Sequence, residues 1–410
     1  MTNEQQQGTN LDSWLDAYAA RAETLAVSEV RALFSVVSRP EVVSLAGGMP
    51  YVAALPQELL AKAYHDLMAK KGNLAIQYGG GQGDLVLRDQ IRELMALEGI
   101  QSSVEDLVIT TGSQHGLDLL SGLFLDKGDV VVAEGPSYVG ALGIFRHYEA
   151  DVEHVYTDHD GMSPEALQET ITKLKAQGRK IKFLYLVPNF ANPSGVTLSA
   201  ERRPRILEIC KREHILIIED NPYGDLWFDA PPGPSLSSRH PEGSVYLGSF
   251  SKILAPGLRL GYLVAPKALY PKLLQAKQAA DLHTPSFNQR VVAEVLKDGF
   301  IERHVPTIRA LYKQQCEAML AALDREMAGL GLTWNRPVGG MFLWVQLPQG
   351  LKAIPLLDKA VEKGVAFVPG SAFYAQDANE STLRLSFVTA TVDQINTGMA
   401  ALAAAVRESL

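Results

Sequence analysis

The chain has 410 residues, of which 47% are hydrophobic and 20% are charged, so it can bury a large core and is long enough for two domains. Its net charge of −8, with a pI near 5.7, argues against a nucleic-acid-binding protein. No apolar run approaches membrane-spanning length, and the polar first residues lack the core of a signal peptide, so we expect a cytoplasmic protein with no membrane partner.

Cysteine and histidine usage excludes two further classes. Cys210 and Cys316 are the only cysteines in the sequence, and two thiols cannot build a disulfide framework or a thiolate metal cage. The nine histidines show no spacing that is typical of a metal site. We therefore predict no bound metal.

The predicted elements begin after a polar, glutamine-rich stretch at residues 1–10 that we expect to be disordered. Residues 11–33 show helical periodicity in two pieces, with Ser28 as the predicted N-cap of the second. A short strand then ends in Gly47 and Gly48. Glycines allow a ligand to approach the backbone closely, although a plain connector explains this pair equally well.

Tyr78 and the glycine-rich run 79–83 stand between helices predicted at 56–70 and 85–97. A run of this kind resembles a dinucleotide-binding loop, but such a loop must follow a strand directly. No strand leads into residues 79–83. The dinucleotide interpretation is therefore unsupported.

Strands and helices alternate through the middle of the chain. The apolar strands are separated by helices, which indicates an α/β fold with a mostly parallel sheet covered by helices on both faces. In such sheets, ligands bind outside the carboxyl ends of the strands. The strands are predicted at 107–111, 130–133, 152–156, 181–187, 215–219, 245–248 and 260–264.

Two of these strand ends carry candidate ligand-binding groups. The first turns through Gly112, Ser113 and Gln114 into a helix, whose free N–H groups and dipole attract an anion. An ordinary capped turn is about as consistent with those residues. Tyr138 follows the second strand after a rigid turn, where its ring could stack on an aromatic ligand or belong to the core.

The next two strand ends add an amide and a carboxylate. Asn192 lies in an Asn-Pro-Ser-Gly turn, a sequence that is also common in ordinary loops. Asp220 ends the following strand, with Tyr223 three residues later. A carboxylate there could hold a pyridine nitrogen protonated or simply cap a helix, and Glu219 competes for the first role.

One lysine stands in unusual surroundings within residues 249–262. An ammonium at Lys252 beside Phe250, Ile253 and Leu254 is poorly solvated, which favours its neutral amine. A neutral amine can attack an aldehyde and form a Schiff base. A surface loop with an ordinary lysine is the alternative.

Groups suited to a phosphate surround the same lysine. Ser249 and Ser251 supply hydroxyls, and Arg259 supplies a forked guanidinium that can bind two oxygens at once. An aldehyde and a phosphate in one ligand describe pyridoxal 5'-phosphate (PLP). The turn at 256–257 and the strand that follows Arg259 favour the cofactor interpretation over an ordinary surface loop.

The last third of the chain predicts a smaller α+β region that the N-terminal helices join. Its elements are one long helical region at 288–327, strands at 332–334, 341–347 and 365–368, and a final helix at 392–407. The predicted organisation is a disordered stretch at 1–10, an N-terminal segment at 11–50, a large cofactor-binding domain at 51–287 and a small domain at 288–410.

Arg384 stands in the half-apolar strand pattern Leu-Arg-Leu-Ser-Phe of this region. A buried guanidinium needs an acidic partner. A substrate carboxylate bound in fork geometry and a structural salt bridge are equally consistent with the residue alone.

From about residue 27 onward, the chain resembles the class I/II aminotransferases, which are fold type I PLP enzymes. Each motif is weak by itself, but together they occur in the order that is found in the family. The matching residues are Gly112, Ser113, Tyr138, Asn192, Asp220, Tyr223, Lys252, Arg259 and Arg384.

The resemblance implies a role for each residue around the cofactor ring. Lys252 would hold PLP covalently and, once freed, move the α-proton of the substrate. Asp220 would face the ring nitrogen. Asn192 and Tyr223 would bind the phenolic oxygen, and Tyr138 would stack on the ring.

The resemblance also implies the remaining contacts. Arg384 would hold the substrate α-carboxylate, and Asn192 and Gly48 would also bind the substrate. Tyr78 would reach the cofactor phosphate of the neighbouring subunit in a homodimer. The residues that would bind the cofactor phosphate within one subunit are Gly112, Ser113, Gln114, Ser249, Ser251 and Arg259.

The implied activity is transfer of the amino group of an L-amino acid to a 2-oxo acid, for which we expect 2-oxoglutarate. Residues 28–31 and 39–48 resemble the N-terminal region of 2-aminoadipate aminotransferases, which accept acidic, aromatic and branched-chain amino acids. In that group, the helix that carries Arg31 contacts the substrate side chain. Arg31 would then pair with a distal carboxylate, although a solvated helix arginine is at least as consistent.

Two other functions remain open. One is a different PLP reaction at the same α-carbon, such as β-elimination or decarboxylation. The other is an effector-sensing module like those of certain transcription regulators. Because such regulators carry a basic winged-helix domain ahead of this fold, and we expect none here, we favour the enzyme.

Overall fold

The computed structural model describes residues 14, 17–24, 39, 41–51 and 57–410. The strands are β1 Val43–Ser44, β2 Leu107–Thr110, β3 Val130–Gly135, β4 Asp151–Asp158, β5 Gly161–Met162, β6 Ile181–Leu186, β7 Leu216–Asp220, β8 Ser244–Ser249, β9 Gly261–Val264, β10 Thr333–Trp334, β11 Phe342–Gln346, β12 Val365–Ala366, β13 Val368–Pro369 and β14 Thr382–Ser386. The helices are α1 Gln57–Ala75, α2 Leu85–Leu97, α3 Ser113–Phe124, α4 Val139–His147, α5 Pro164–Ala176, α6 Arg202–Glu213, α7 Leu236–Arg239, α8 Tyr270–Asp281, α9 Ser286–Val295, α10 Phe300–Glu326, α11 Ala353–Glu362 and α12 Val392–Arg407.

Eight strands form one large sheet in the order β2-β9-β8-β7-β6-β3-β4-β5. The five central strands β8, β7, β6, β3 and β4 run parallel, while β9 and β5 run antiparallel to their neighbours. The predicted α/β class with a mostly parallel sheet is confirmed. Every strand predicted for this sheet is found within two residues of its expected ends.

Alternate residues of the parallel strands pack on opposite faces of this sheet. Val131 belongs to a hydrophobic cluster that includes residues of α3 and α4. Its neighbour Val132 belongs to a second cluster, formed with residues of α5 and α6. Because successive strand residues point to opposite faces, a strand buried by helices on both sides must be apolar at nearly every position.

A second, antiparallel sheet has the order β10-β11-β14-β13. The short strand β1 pairs in parallel with β12, so the segment at 43–44 lies against the C-terminal third of the chain. The domain boundaries inferred from the sequence stay a prediction.

Two predictions for the C-terminal third were wrong. The long helical region expected at 288–327 is interrupted and consists of two helices, α9 and α10. Asp298 and Gly299, between them, have φ of 58° and 67°, and a left-handed backbone cannot continue a right-handed helix. The single strand expected at 365–368 is the pair β12 and β13, which bind different partner strands.

The predictions for the beginning of the chain fall largely outside the described residues. This holds for the disordered stretch at 1–10 and for the N-cap Ser28. Of the predicted helices at 11–33, the described part includes a 3₁₀ turn at Ala20–Thr24. Among the described residues, no helix combines the length and the apolar character that crossing a bilayer requires.

Candidate functional site

The carboxyl ends of the parallel strands open into a cavity of about 590 Å³. Its wall combines residues that follow strands of the large sheet with residues of the segment 42–49 and of β14. The predicted site residues that line it are Gly48, Gly112, Ser113, Gln114, Tyr138, Asn192, Asp220, Tyr223, Ser249, Ser251, Lys252, Arg259 and Arg384.

Of the two remaining predicted site residues, the structure describes only Tyr78, which does not line the cavity. Arg31 lies outside the described residues. Tyr78 is 77% exposed, and its ring meets that of His283 edge-on at a centroid distance of 5.7 Å. The role of both residues stays a prediction.

Lys252 follows β8 in a turn that places its amine in the cavity. Its Nζ donates a hydrogen bond of 2.8 Å to the carbonyl oxygen of Gly48. Burial, together with the positive charges of Arg384 and Arg259, lowers the pKa of Lys252 to about 8. Much of this amine is therefore neutral, and nucleophilic, at mildly alkaline pH.

Asp220 ends β7 with its two carboxylate oxygens in different situations. Oδ2 accepts a hydrogen bond of 2.9 Å from the Tyr185 hydroxyl. Oδ1 is buried and has no hydrogen-bond partner among the described residues. Burial raises the pKa of Asp220 to about 6, against the effect of the Tyr185 hydrogen bond. An unpartnered buried oxygen in the wall of a cavity indicates that a ligand supplies the donor.

Glu219, the competing carboxylate, points away from the cavity. Its oxygens accept hydrogen bonds from the hydroxyls of Ser235 and Ser237 and from the backbone N–H groups of Leu236 and Ser237, at 2.7 to 3.0 Å. Neighbouring residues of a strand face opposite sides of the sheet. Of the two carboxylates, Asp220 is therefore the one that can meet a ligand in the cavity.

Arg384 is buried, and none of the carboxylates in the described part of the chain pairs with it. Its Nη1 and Nη2 donate to Asn192 Oδ1 and to the carbonyl oxygen of Ala46, each at 2.7 Å. Its Nε has no partner among the described residues. The guanidinium carbon lies 4.3 Å from the centroid of the Phe342 ring, and burial lowers the pKa of Arg384 to about 10. No described carboxylate forms a salt bridge with it, which favours the substrate interpretation over a structural salt bridge.

Asn192 and Tyr223 form a second pair of polar groups in the wall. The Asn192 Nδ2 group donates a hydrogen bond of 3.3 Å to the Tyr223 hydroxyl oxygen. Both side chains are buried, and burial raises the pKa of Tyr223 above its ordinary value. The Tyr223 hydroxyl therefore stays protonated at physiological pH and can donate to an oxygen in the cavity.

A potential anion site lies where α3 begins. Gly112 caps this helix with φ of +82°, and a Cβ there would lie 2.6 Å from Nη2 of Arg259, so the turn requires glycine. Arg259 Nη2 in turn lies 3.4 Å from the carbonyl oxygen of Thr111. The helix N-terminus, the guanidinium, and the nearby Ser249 and Ser251 all line the same cavity.

These groups fit PLP. The amine of Lys252 matches its aldehyde, the unpartnered Oδ1 of Asp220 matches a protonated ring nitrogen, and the turn at Gly112 matches its phosphate. The fit depends on polar groups in the cavity wall that other described residues do not fully occupy, such as Oδ1 of Asp220.

Sequence reasoning missed Tyr185 and Phe342, which contact Asp220 and Arg384 respectively. Both stand in apolar strands, where an aromatic residue has no distinguishing pattern. Sequence reasoning also assigned no role to His115, which accepts a hydrogen bond of 3.2 Å from the Thr111 N–H at its Nδ1.

Comparison with known proteins gives concordant results. The family model for aminotransferase class I and II matches residues 40–402. The chain is 38% identical over 395 residues to aromatic-amino-acid aminotransferase 1 of Thermococcus litoralis, in an alignment that covers 96% of this chain and 94% of that protein. It is 39% identical over 399 residues to 2-aminoadipate transaminase of Thermus thermophilus, with coverage of 96% and 98%. Kynurenine aminotransferase of Pyrococcus horikoshii, solved with PMP, superposes with a TM-score of 0.93 and 39% identity over 98% of this chain and 99% of that one.

Proposed function

This chain belongs to the class I and II aminotransferases, and from that membership we propose which residues perform the reaction and which substrates the cavity accepts. The protein is a PLP-dependent transaminase. The observation that carries the residue assignment is the placement of the Lys252 amine, the unpartnered Asp220 oxygen and the Arg384 guanidinium in one cavity.

PLP, when bound, supplies an aldehyde that condenses with amino groups and a protonated ring that withdraws electrons from the substrate α-carbon. The helix N-terminus at Gly112 and the guanidinium of Arg259 hold the phosphate, together with the hydroxyls of Ser249 and Ser251. Asp220 keeps the ring nitrogen protonated through Oδ1. Ser113 and Gln114 also contribute to the phosphate site. Tyr138 stacks on the face of the ring, and Asn192 and Tyr223 bind the phenolic oxygen.

Lys252 has two tasks. Its Nζ is the group that would hold the cofactor through the aldehyde, and as a free amine it would take the α-proton of the substrate and carry it. A base with a pKa of about 8 is close to neutral pH, which favours proton transfer in both directions. The carbonyl oxygen of Gly48 holds Nζ at 2.8 Å and limits where the freed amine can move.

Arg384 binds the substrate α-carboxylate. Its guanidinium is held by Asn192 Oδ1 and by the carbonyl oxygen of Ala46, so its direction is set before the substrate arrives. A charged hydrogen bond to a buried guanidinium is stronger than one in water. The α-carboxylate thereby orients the α-carbon toward Lys252.

The substrate side chain meets a mostly apolar wall. The charged residues that line the described part of the cavity are Asp220, Lys252, Arg259 and Arg384. With Lys252 assigned to the cofactor and the α-proton, Arg259 to the phosphate and Arg384 to the α-carboxylate, the described wall offers no further cation for a distal carboxylate. We therefore assign aromatic and branched-chain side chains to the described wall, and 2-aminoadipate and 2-oxoglutarate to a contact with Arg31.

Half-reactions with a panel of L-amino acids test this assignment, because conversion of the PLP form to the PMP form changes the visible absorbance. We expect Arg31→Gln to lower kcat/KM at least tenfold for 2-aminoadipate and less than twofold for leucine and phenylalanine. Arg39→Gln, at an exposed arginine eight residues later in the sequence, is the matched control and should change neither value. Equal effects of Arg31→Gln on acidic and apolar donors would contradict the role of Arg31. A PLP form that no amino acid converts would contradict the whole proposal.

The protein acts as a homodimer in the cytoplasm, with Tyr78 of one subunit at the cofactor phosphate of the other. The exposed ring of Tyr78 and the exposed apolar side chains of Leu74, Ile76 and Leu282 support an interface at this surface. Light scattering should give twice the chain mass, and Tyr78→Phe should weaken PLP binding without changing that mass. A monomer that retains full activity would contradict the role of Tyr78.

A further inference from the structure

A completely buried lysine lies close behind the phosphate site and has no part in the proposed reaction. Lys277, on α8, is 0% exposed. Its Nζ lies 2.7 and 2.9 Å from the two carboxylate oxygens of Asp281, and it donates a 3.1 Å hydrogen bond to Thr284 Oγ1. A buried ion pair is expensive to desolvate and is weak evidence for stability by itself. Neither Lys277 nor Asp281 lines the cavity.

Lys277, Asp281 and Thr284 are connected to the predicted phosphate site through Thr111. The Thr111 hydroxyl oxygen lies 3.4 Å from Asp281 Oδ2 and 3.4 Å from Thr284 Oγ1. The Thr111 N–H donates to His115 Nδ1 at 3.2 Å, and its carbonyl oxygen accepts from Arg259 Nη2 at 3.4 Å. Every polar group of Thr111 is therefore engaged, and its neighbour in the chain is the glycine that begins the phosphate turn.

We propose that the cluster of Lys277, Asp281, Thr284 and His115 is a positioning device that orients Thr111, and through it the turn at 112–114 and the guanidinium of Arg259, for the cofactor phosphate. The inference depends on the proposed assignment of that turn to the phosphate. Backbone N–H groups bind an anion well only if they already point at it, so fixing the turn in advance strengthens cofactor binding. Because the ion pair is neutral as a whole, it acts through geometry.

His115 makes this device dependent on pH. Only neutral His115 can accept the Thr111 N–H at Nδ1, because both ring nitrogens are donors once the ring is protonated. The charged groups that act on the ring are Asp281, whose Oδ2 lies 3.6 Å from Nδ1, Lys277, and Asp118 on the same helix. Burial lowers the pKa of His115, against the pull of Asp281. Cofactor binding should therefore weaken as His115 becomes protonated at acidic pH.

The test measures the PLP dissociation constant of the full-length protein. Thr111→Val removes only the hydroxyl contact. We expect at least tenfold weaker PLP binding, kcat within twofold of wild type at saturating PLP, and recovery in Thr111→Ser. Lys277→Met should weaken binding similarly. Lys182→Met is its matched control, because Lys182 forms a largely buried ion pair with Asp129, at 2.8 Å, away from the cavity. This variant should leave PLP binding unchanged.

A second measurement separates positioning from general destabilisation. As the pH is lowered below the pKa of His115, the PLP dissociation constant of the wild type should rise. The rise should be several-fold larger than that of His115→Gln over the same pH range. If Lys277→Met does not fold, the Thr111 variants and the pH profile decide. Unchanged PLP binding in Thr111→Val, or identical pH profiles for wild type and His115→Gln, would overturn the inference.

Arg259→Ala distinguishes failure of this inference from failure of the site assignment. If Arg259→Ala weakens PLP binding and Thr111→Val does not, the phosphate site stands and the cluster has no positioning role. If neither variant weakens PLP binding, the phosphate lies elsewhere, and both the site assignment and the positioning role of the cluster are wrong.

Discussion

The hydroxyl of Tyr185 donates a hydrogen bond of 2.9 Å to Oδ2 of Asp220, and this contact decides which edge of the carboxylate faces the cavity. Oδ1 remains without a partner among the described residues. Tyr185 does not line the cavity itself. A residue of the neighbouring strand β6 therefore orients the group that we assign to the cofactor ring nitrogen.

Tyr185→Phe should impair catalysis without disturbing the fold. The ring keeps its packing against Phe145, at a centroid distance of 5.5 Å, while the donor that lowers the pKa of Asp220 is lost. A hydrogen bond to a charged group is worth about 1.5–3 kcal/mol, so kcat/KM should fall roughly ten- to a hundredfold. The acidic limb of the pH profile of kcat/KM should also move to higher pH in this variant. Tyr246→Phe, which removes a buried hydroxyl that contacts Glu98 outside the cavity, should leave that limb in place.

Asp220→Asn should stabilise the cofactor-free protein while abolishing activity. Burial raises the pKa of Asp220 from 3.8 to about 6, so the folded protein binds the proton more tightly than the unfolded chain. The ionised carboxylate then destabilises the fold at alkaline pH, and stability should rise as pH falls from 6 toward 4. Two pKa units correspond to about 3 kcal/mol.

The measurement is urea unfolding of the cofactor-free wild type and Asp220→Asn at pH 8 and pH 4. We expect the variant to be more stable by about 1–3 kcal/mol at pH 8 and equal to wild type at pH 4. A variant that is less stable at pH 8 would show that another group of the chain pairs with the carboxylate.

Capture of PLP should accelerate with pH around the pKa of Lys252. Only the neutral amine attacks the aldehyde, and burial beside Arg384 and Arg259 lowers that pKa to about 8. Stopped-flow absorbance of the cofactor-free protein should give a rate that rises with pH and levels off above about 8. Free Nα-acetyl-lysine is the control and should rise toward its ordinary pKa near 10.5. If the midpoint of the rate profile of the protein lay near 10, the amine would be solvated. Lys252→Ala should not capture PLP at all.

Local sequence patterns predicted seven of the eight strands of the large sheet, and the family resemblance then selected most of the predicted residues that line the cavity. Apolar strands that alternate with helices specify a parallel sheet, and ligands bind at the carboxyl ends of such strands. The contact between Tyr185 and Asp220 depends instead on the register of β6 against β7, in which Tyr185 lies opposite Ile218. Register is a long-range property that no local pattern contains. The break at Asp298 and Gly299, by contrast, had a local signal, because an Asp-Gly pair is typical of a turn.

The separation of Glu219 from Asp220 was decided by hydrogen bonds from a distant segment. Residues 235–237 supply the four donors that hold Glu219 on the opposite face of the sheet. Strand alternation predicts that the two carboxylates face opposite ways, but it cannot say which of them faces the ligand.

Arg384→Lys should separate substrate binding from cofactor binding. Lysine keeps the positive charge but loses the fork that can bind both oxygens of a carboxylate while contacting Asn192. We expect KM for amino acids to rise roughly ten- to a hundredfold, which corresponds to about 1.4–2.8 kcal/mol, with the PLP dissociation constant within twofold of wild type. Primary amines without a carboxylate should react equally slowly with both proteins. Arg309→Lys, at an arginine that stacks on Trp227 outside the cavity, is the matched control and should leave KM unchanged. If Arg384→Lys weakened PLP binding and left KM unaltered, Arg384 would belong to the cofactor site, and the substrate carboxylate would need another cation.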